Sequence, residues 1–133
     1  MIESNADTPT SLLEAGSVQL LWLEDQIAQG VLPAAATQFN TLAQDMVSAF
    51  STFSKDSPFY FAAISGSIED RGTTDFMRRM AALAGIDARH IDLEDIGLTE
   101  SGRFVDLNGN WIERLFKLCL LYTSDAADDS LRV

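Results

Sequence analysis

Apolar residues recur at spacings near three and four along the first part of the chain: Leu12, Leu13, Leu20, Leu23 and Ile27, with Glu14, Glu24 and Asp25 mostly off that stripe. The period is that of an amphipathic helix, and it predicts one from Pro9 to about Gln29. Asp7-Thr8-Pro9-Thr10 supplies a polar cap with proline at a first helical position, and Gly30 supplies a C-cap. Beyond Pro33 a second stripe, Phe39, Leu42, Met46, Phe50 and Phe53, predicts another helix that ends before Asp56-Ser57-Pro58. The period then changes. Phe59 to Ile64 is a short continuous apolar run between Pro58 and Ser65-Gly66-Ser67, the pattern of a parallel strand covered on both faces.

Thr73 or Thr74 is expected to cap the next helix, with Phe76, Met77, Met80, Ala81 and Leu83 inward, Arg78 and Arg79 outward and Gly85 at its end. Arg89 to Leu93 then reads as a second strand. Strand, helix and strand within so short a stretch make a βαβ unit, and a ligand crevice is expected beyond the first strand's carboxyl end, at Ser65 to Arg71. After Gly97, Arg103 to Asp106 and Trp111 to Phe116 flank Leu107-Asn108-Gly109-Asn110, whose Asn-Gly predicts a hairpin. The expected fold is therefore one α/β piece: two N-terminal helices, a βαβ unit and a C-terminal β-hairpin.

Composition narrows the function classes. The chain has 133 residues, 20 Asp+Glu against 9 Lys+Arg, a net charge of −11 and 47% apolar residues. That is one globular domain's worth of chain, and its acidity speaks against nucleic acid or an anionic membrane as a partner. No apolar run is long enough to span a bilayer, and the start Met-Ile-Glu-Ser-Asn-Ala-Asp lacks the pattern of a signal peptide, so a cytoplasmic location is expected.

The tail requires separate treatment. Cys119-Leu120-Leu121-Tyr122-Thr123-Ser124-Asp125-Ala126-Ala127-Asp128 is what a transposase-type sequencing adapter encodes when read through, with Asp129 to Val133 as its continuation. Residues 119–133 are therefore expected to be non-native, and residues 1–118 to be the domain. Without Asp125, Asp128, Asp129 and Arg132, 17 acids and 8 bases remain. The single cysteine also goes, and with it thiol chemistry.

Few residues carry candidate chemistry. In Glu3-Ser4-Asn5-Ala6-Asp7, strand alternation sends Glu3, Asn5 and Asp7 to one face, offering three oxygen donors suited to a hard cation such as Mg²⁺. A solvated strand end with a helix cap explains the same residues, and spacing leaves both readings open. Thr8, Thr10 and the following helix N-terminus could hold an anionic substrate group, or only cap the helix. Ser65-Gly66-Ser67-Ile68-Glu69-Asp70-Arg71-Gly72 matches neither the dinucleotide fingerprint nor the P-loop. Glu69 or Asp70 could receive a cationic or amide group there. His90 is the only histidine, has no nucleophile motif beside it and reads as structural.

One resemblance joins these pieces. Glu3-Ser4-Asn5-Ala6-Asp7-Thr8-Pro9-Thr10-Ser11-Leu12 with Glu14-Ala15, then Trp22-Leu23-Glu24-Asp25-Gln26, Glu69-Asp70-Arg71-Gly72-Thr73, Asp95-Ile96-Gly97-Leu98 and Leu115-Phe116-Lys117-Leu118, resemble the glutathionylspermidine synthase family of ATP-grasp ligases. The likeness covers essentially all of residues 1–118. It implies a Rossmann-like preATP-grasp piece from the middle of a longer enzyme. That enzyme would use ATP and Mg²⁺ to join a carboxylate, typified by glutathione's glycine carboxyl, to an amine such as spermidine through an acyl phosphate. By the same resemblance, Glu3 and Asn5 fall on the family's Mg²⁺ ligands, and Thr8, Thr10 and Glu69 on peptide-substrate contacts. Most of the ATP site would lie downstream, so the chain alone is expected to be inactive. The competing expectation is a stand-alone α/β binding or interaction module that catalyses nothing.

Overall fold

The computed structural model describes residues 11–118. Its centre is a three-stranded, wholly parallel sheet in the order β2-β1-β5, made of β1 (Phe59–Ala63), β2 (Ala88–Asp92) and β5 (Arg114–Leu118). Phe59 pairs with Ala88 on one side and Arg114 on the other, and Ala63 with Asp92 and Leu118. Tyr60, Phe61, Ala62 and Ala63 are all buried, as a central strand with both faces covered requires.

One face of the sheet is closed by helices α2 (Leu42–Ser51) and α3 (Ile68–Leu83). There Phe50, Phe61, Ala81, Ala84 and Ile86 form the main core, with Met46, Met77 and Phe116 partly buried against it. Phe50 stands edge-on to Phe59 and Phe61, with ring centroids 6.1 and 6.0 Å away, an arrangement aromatic quadrupoles favour. On the other face Tyr60, Ala62, Ile91 and Ile112 make a second, smaller cluster. The two-stranded antiparallel pair β3 (Gly97–Leu98) and β4 (Phe104–Val105) follows the 3₁₀ turn Leu93–Asp95.

The first helix is present and ends at Gly30 (φ +73°) as expected, but its first turns are wound as a π-helix, Glu14–Val18, before α1 (Gln19–Ala28) takes over. The wider turn goes with a side-chain clasp: Ala15 O accepts from Gln38 Nε2 (2.5 Å) and Asn40 Nδ2 (3.3 Å). Close packing also holds this turn. A Cβ on Gly16 would lie 2.3 Å from Phe76 Cζ, so only glycine lets the helix approach α3 so closely. The stripe Leu12, Leu13, Leu20, Leu23 and Ile27 does not become a buried face, and α1 buries no residue.

Several expectations are corrected. Phe39 lies ahead of α2 and is 92% exposed, because Asn40 side-chain contacts and the turn at Thr41 start the helix later. The helix α3 is capped by Ser67, not by Thr73 or Thr74. Ser67 Oγ accepts from Asp70 N, and Glu69 and Asp70 in the first turn suit the helix's positive end. Thr73 and Thr74 are buried inside the helix, where the Thr74 hydroxyl is satisfied by Asp70 O and Arg71 O. Leu83 points outward at the helix's last turn and is 72% exposed. The Asn-Gly turn forms, with Gly109 at φ +79° and a bridge between Val105 and Trp111. Beyond it the chain leaves its hairpin partner, and Arg114 to Leu118 becomes the third parallel strand. The Arg114 guanidinium fastens that strand by donating to Ser54 O and Ser57 O in the loop before β1.

Candidate functional site

Glu3, Asn5, Thr8 and Thr10 lie outside the described residues, as does the whole segment 119–133. Glu69 is described, and its surroundings define where the expected substrate site would form. It sits in the first turn of α3 and is exposed. Further along the helix, Gly72 meets Leu13, whose Cδ2 is 3.1 Å from where a Cβ would be, and Phe76 meets Gly16. Glu69, Gly72 and Phe76 follow the i, i+3, i+7 spacing of one helical stripe. Leu13 against Gly72 and Gly16 against Phe76 place the start of the first helix on that stripe of α3. Ser11, just ahead of this helix, adopts φ +63°, a left-handed conformation rare outside glycine.

The crevice expected beyond β1 exists as a hollow of about 200 Å³ lined by Ile64 to Ile68, Arg71 and Asp92. Its innermost backbone donor is already engaged: Ser65 N donates to both carboxylate oxygens of Glu94, at 3.2 and 3.1 Å. Because α3 begins at Ile68, the residues Glu69, Asp70 and Arg71 are helical and not a free loop.

Next to it, α3 and β2 exchange charges in a closed set. Arg71 lies 3.5 Å from both Asp75 and Asp92, Arg78 Nε donates to Asp75 at 3.0 Å, and His90 Nε2 is 2.8 Å from Asp92. Burial works to raise the Asp75 carboxyl, but the hydrogen bond and charge of Arg78, helped by Arg71 and His90, hold it below the usual range. Arg71, Arg78, His90 and Asp92 line a cleft of about 550 Å³ along the edge of β2, together with Tyr60, Arg89, Asp106 and Asn110. His90 sits within β2, its Nε2 held by Asp92, while its buried Nδ1 meets no hydrogen-bond partner among the described residues.

A hydrogen-bond network centred on Tyr60 and Asp106 borders the same cleft. Tyr60 is buried, and its hydroxyl donates to Asp106 Oδ2 (3.0 Å) while accepting from Arg89 (3.4 Å), which itself pairs with Asp87 at 2.7 Å. Asp106 also accepts from Asn110 Nδ2, Asn110 N and Asn108 N, and this set of donors, led by Asn110, holds its carboxyl down to about 2. Burial pushes the Tyr60 phenol up. The repeat Asp106-x-Asn108-x-Asn110 was the available signal, since an aspartate can accept from backbone amides two and four residues on. The network anchors the turn. Among the described residues, no three His, Cys, Asp or Glu side chains gather as a metal-binding group, and no helix is long and apolar enough to cross a membrane.

The class defined by these features is an α/β domain with a wholly parallel sheet, helices packed on one face and an open crevice at the strand ends. The chain matches the family described as glutathionylspermidine synthase preATP-grasp over residues 1–123, and it belongs to that family. The match runs past Leu118. Among curated relatives, a protein of Haemophilus influenzae named "Putative acid--amine ligase" is 40% identical over 123 residues, covering 89% of this chain. The chain spans 30% of that relative's length.

Proposed function

We propose that this chain is part of an ATP-dependent ligase that joins a glutathione-like peptide carboxylate to a polyamine-like amine. Its membership of the glutathionylspermidine synthase family across residues 1–123 carries the reading, and the acid–amine ligase name of its relative agrees with it. In the parent reaction a carboxylate oxygen attacks the terminal phosphorus of ATP, releasing ADP and forming an acyl phosphate. The amine nitrogen then attacks the acyl carbon, phosphate leaves, and loss of a proton from nitrogen gives the amide.

Within this proposal each residue has one task. Glu3 and Asn5 offer a carboxylate and a carboxamide oxygen, the hard donors that Mg²⁺ takes while keeping water and phosphate oxygens in its remaining positions. An Mg²⁺ held by Glu3 and Asn5 would supply positive charge for the transferring phosphoryl group. Thr8 and Thr10 donate hydrogen bonds to the peptide acid. Glu69, exposed in the first turn of α3, accepts from the peptide's ammonium or amide groups. Use of ATP fits a cytoplasmic setting. Residues 1–118 form the preATP-grasp part, residues 119–133 are foreign to it, and the chain alone turns over no ATP.

Recovery of the uninterrupted coding sequence, followed by assay of its product for ADP release dependent on glutathione and spermidine, tests the reading. Glu3→Ala with Asn5→Ala in that protein is expected to lower turnover by roughly 100-fold or more. Thr8→Ala and Glu69→Gln are expected to act chiefly on KM for the acid. Full ligase activity in the Glu3/Asn5 variant, or a natural stop codon at residue 118 with no ATP-grasp sequence in frame, would overturn it.

A further inference from the structure

The helix α1 carries its largest apolar side chains outward. Val18, Leu21 and Trp22 follow the i, i+3, i+4 spacing of one helix face and are 51%, 64% and 59% exposed. Beside them Phe39, 92% exposed, and Trp22 border a hollow of about 350 Å³ floored by Leu23. Two aromatics and two aliphatics on one continuous surface go beyond the scattered apolar exposure of an ordinary monomer.

The electrostatics around this surface are one-sided. Residues 1–54 contain six acids, Glu3, Asp7, Glu14, Glu24, Asp25 and Asp45, and no lysine, arginine or histidine. Glu14, Glu24 and Asp25 are exposed on the helix that carries the apolar face. A second copy meeting this face with its own would bring like charges together, and an anionic lipid surface would be repelled. What suits it is an apolar patch edged with basic side chains. The relative from Haemophilus influenzae has the length to supply one in the same polypeptide, because this chain accounts for only 30% of it.

We infer that the Val18, Leu21, Trp22 and Phe39 face docks against the remainder of the parent ligase, onto an apolar surface rimmed by lysine or arginine. The inference rests on the reading of this chain as part of that larger enzyme. It makes α1 an element of domain assembly, with no role in substrate binding.

Hydroxyl-radical oxidation of Trp22, read by mass spectrometry in the parent-length protein and in the 133-residue chain, tests it. Trp22 is expected to react about fivefold or more slowly in the parent, as an indole in a desolvated contact does. Leu21→Glu, and separately Glu24→Lys with Asp25→Lys, should restore the faster rate. Equal rates in the two proteins would overturn the inference. So would sedimentation of the 133-residue chain as a dimer that Leu21→Glu dissociates, since the occupant would then be a second copy. Amide synthesis is assayed separately: a protected Trp22 in a parent that makes no amide retains the docking surface and removes the proposed activity. An active ligase with an unprotected Trp22 does the reverse.

Discussion

Two helices of this domain, α1 and α3, have opposite fates. In α1 the sequence Gln19-Leu-Leu-Trp-Leu-Glu-Asp-Gln-Ile-Ala28 is mostly apolar and buries nothing. In α3, with three acids and three arginines, Thr73, Thr74, Phe76 and Ala81 are buried. The difference lies in what each helix faces. The α3 helix is the crossover between two paired strands, and its chain connections press it onto the sheet. The first helix meets α3 at its start, Leu13 on Gly72 and Gly16 on Phe76, and beyond that it borders the irregular segment Thr37 to Asn40 and not the sheet. Apolar content records what a helix can bury, and topology decides whether a partner is there.

That contrast can be broken most sharply from the α3 side. Phe61→Ala empties the centre of the core shared by α2, α3 and the sheet, and is expected to cost about 3–5 kcal/mol in denaturant unfolding. Gly16→Ala pushes a methyl group into the Phe76 ring where the first helix packs against α3. About 1–3 kcal/mol is expected, with Phe76→Leu relieving part of it. Tyr60→Phe removes the hydroxyl that ties β1 to the turn at Asp106, for about 1 kcal/mol.

Leu21→Glu on the outward face of α1 should change the stability of this chain by only about 0.5 kcal/mol or less. A larger loss would mean that α1 is already covered and would end the comparison. The pH dependence sharpens it at the sheet's other face. The Asp106 carboxyl is depressed in the folded protein to about 2 by Asn110, Tyr60 and backbone donors. Its stabilisation is therefore present above the ordinary aspartate range near pH 4 and fades as pH falls towards 2. In Asp106→Asn that part of the acid-unfolding profile should be flatter, measured by circular dichroism across the interval.

Local pattern carried much of this architecture. The apolar run at Phe59, the turn residues after Ile64, the second strand at Arg89 and the Asn108-Gly109 turn were all legible, because each depends on neighbours in sequence. The third parallel strand was not. Nothing near Arg114 indicates that its partner is Phe59, and the hairpin signal before it favoured a local arm. The start of α3 was misplaced for a related reason: Ser67 and Thr73 are both good caps, and contacts with Leu13 and the sheet decide between them. Of the candidate site, residue types alone suggested oxygen donors at Glu3 and Asn5 and an acid at Glu69. Their roles came from family likeness. The structure adds the common stripe of Glu69, Gly72 and Phe76.

The pairing of β1 with β5 also has a consequence for the order of events during folding. Phe59 must wait for Arg114, 55 positions later, before its second edge is satisfied. A chain emerging from the ribosome can join β1 to β2 through α3 early, but the sheet stays two strands wide until Leu118 is out. The guanidinium of Arg114, gripping Ser54 O and Ser57 O, then acts as a late latch. Nascent chains halted before that point should remain open to proteases along the outer edge of β1, and release of the last strand should close it in one step.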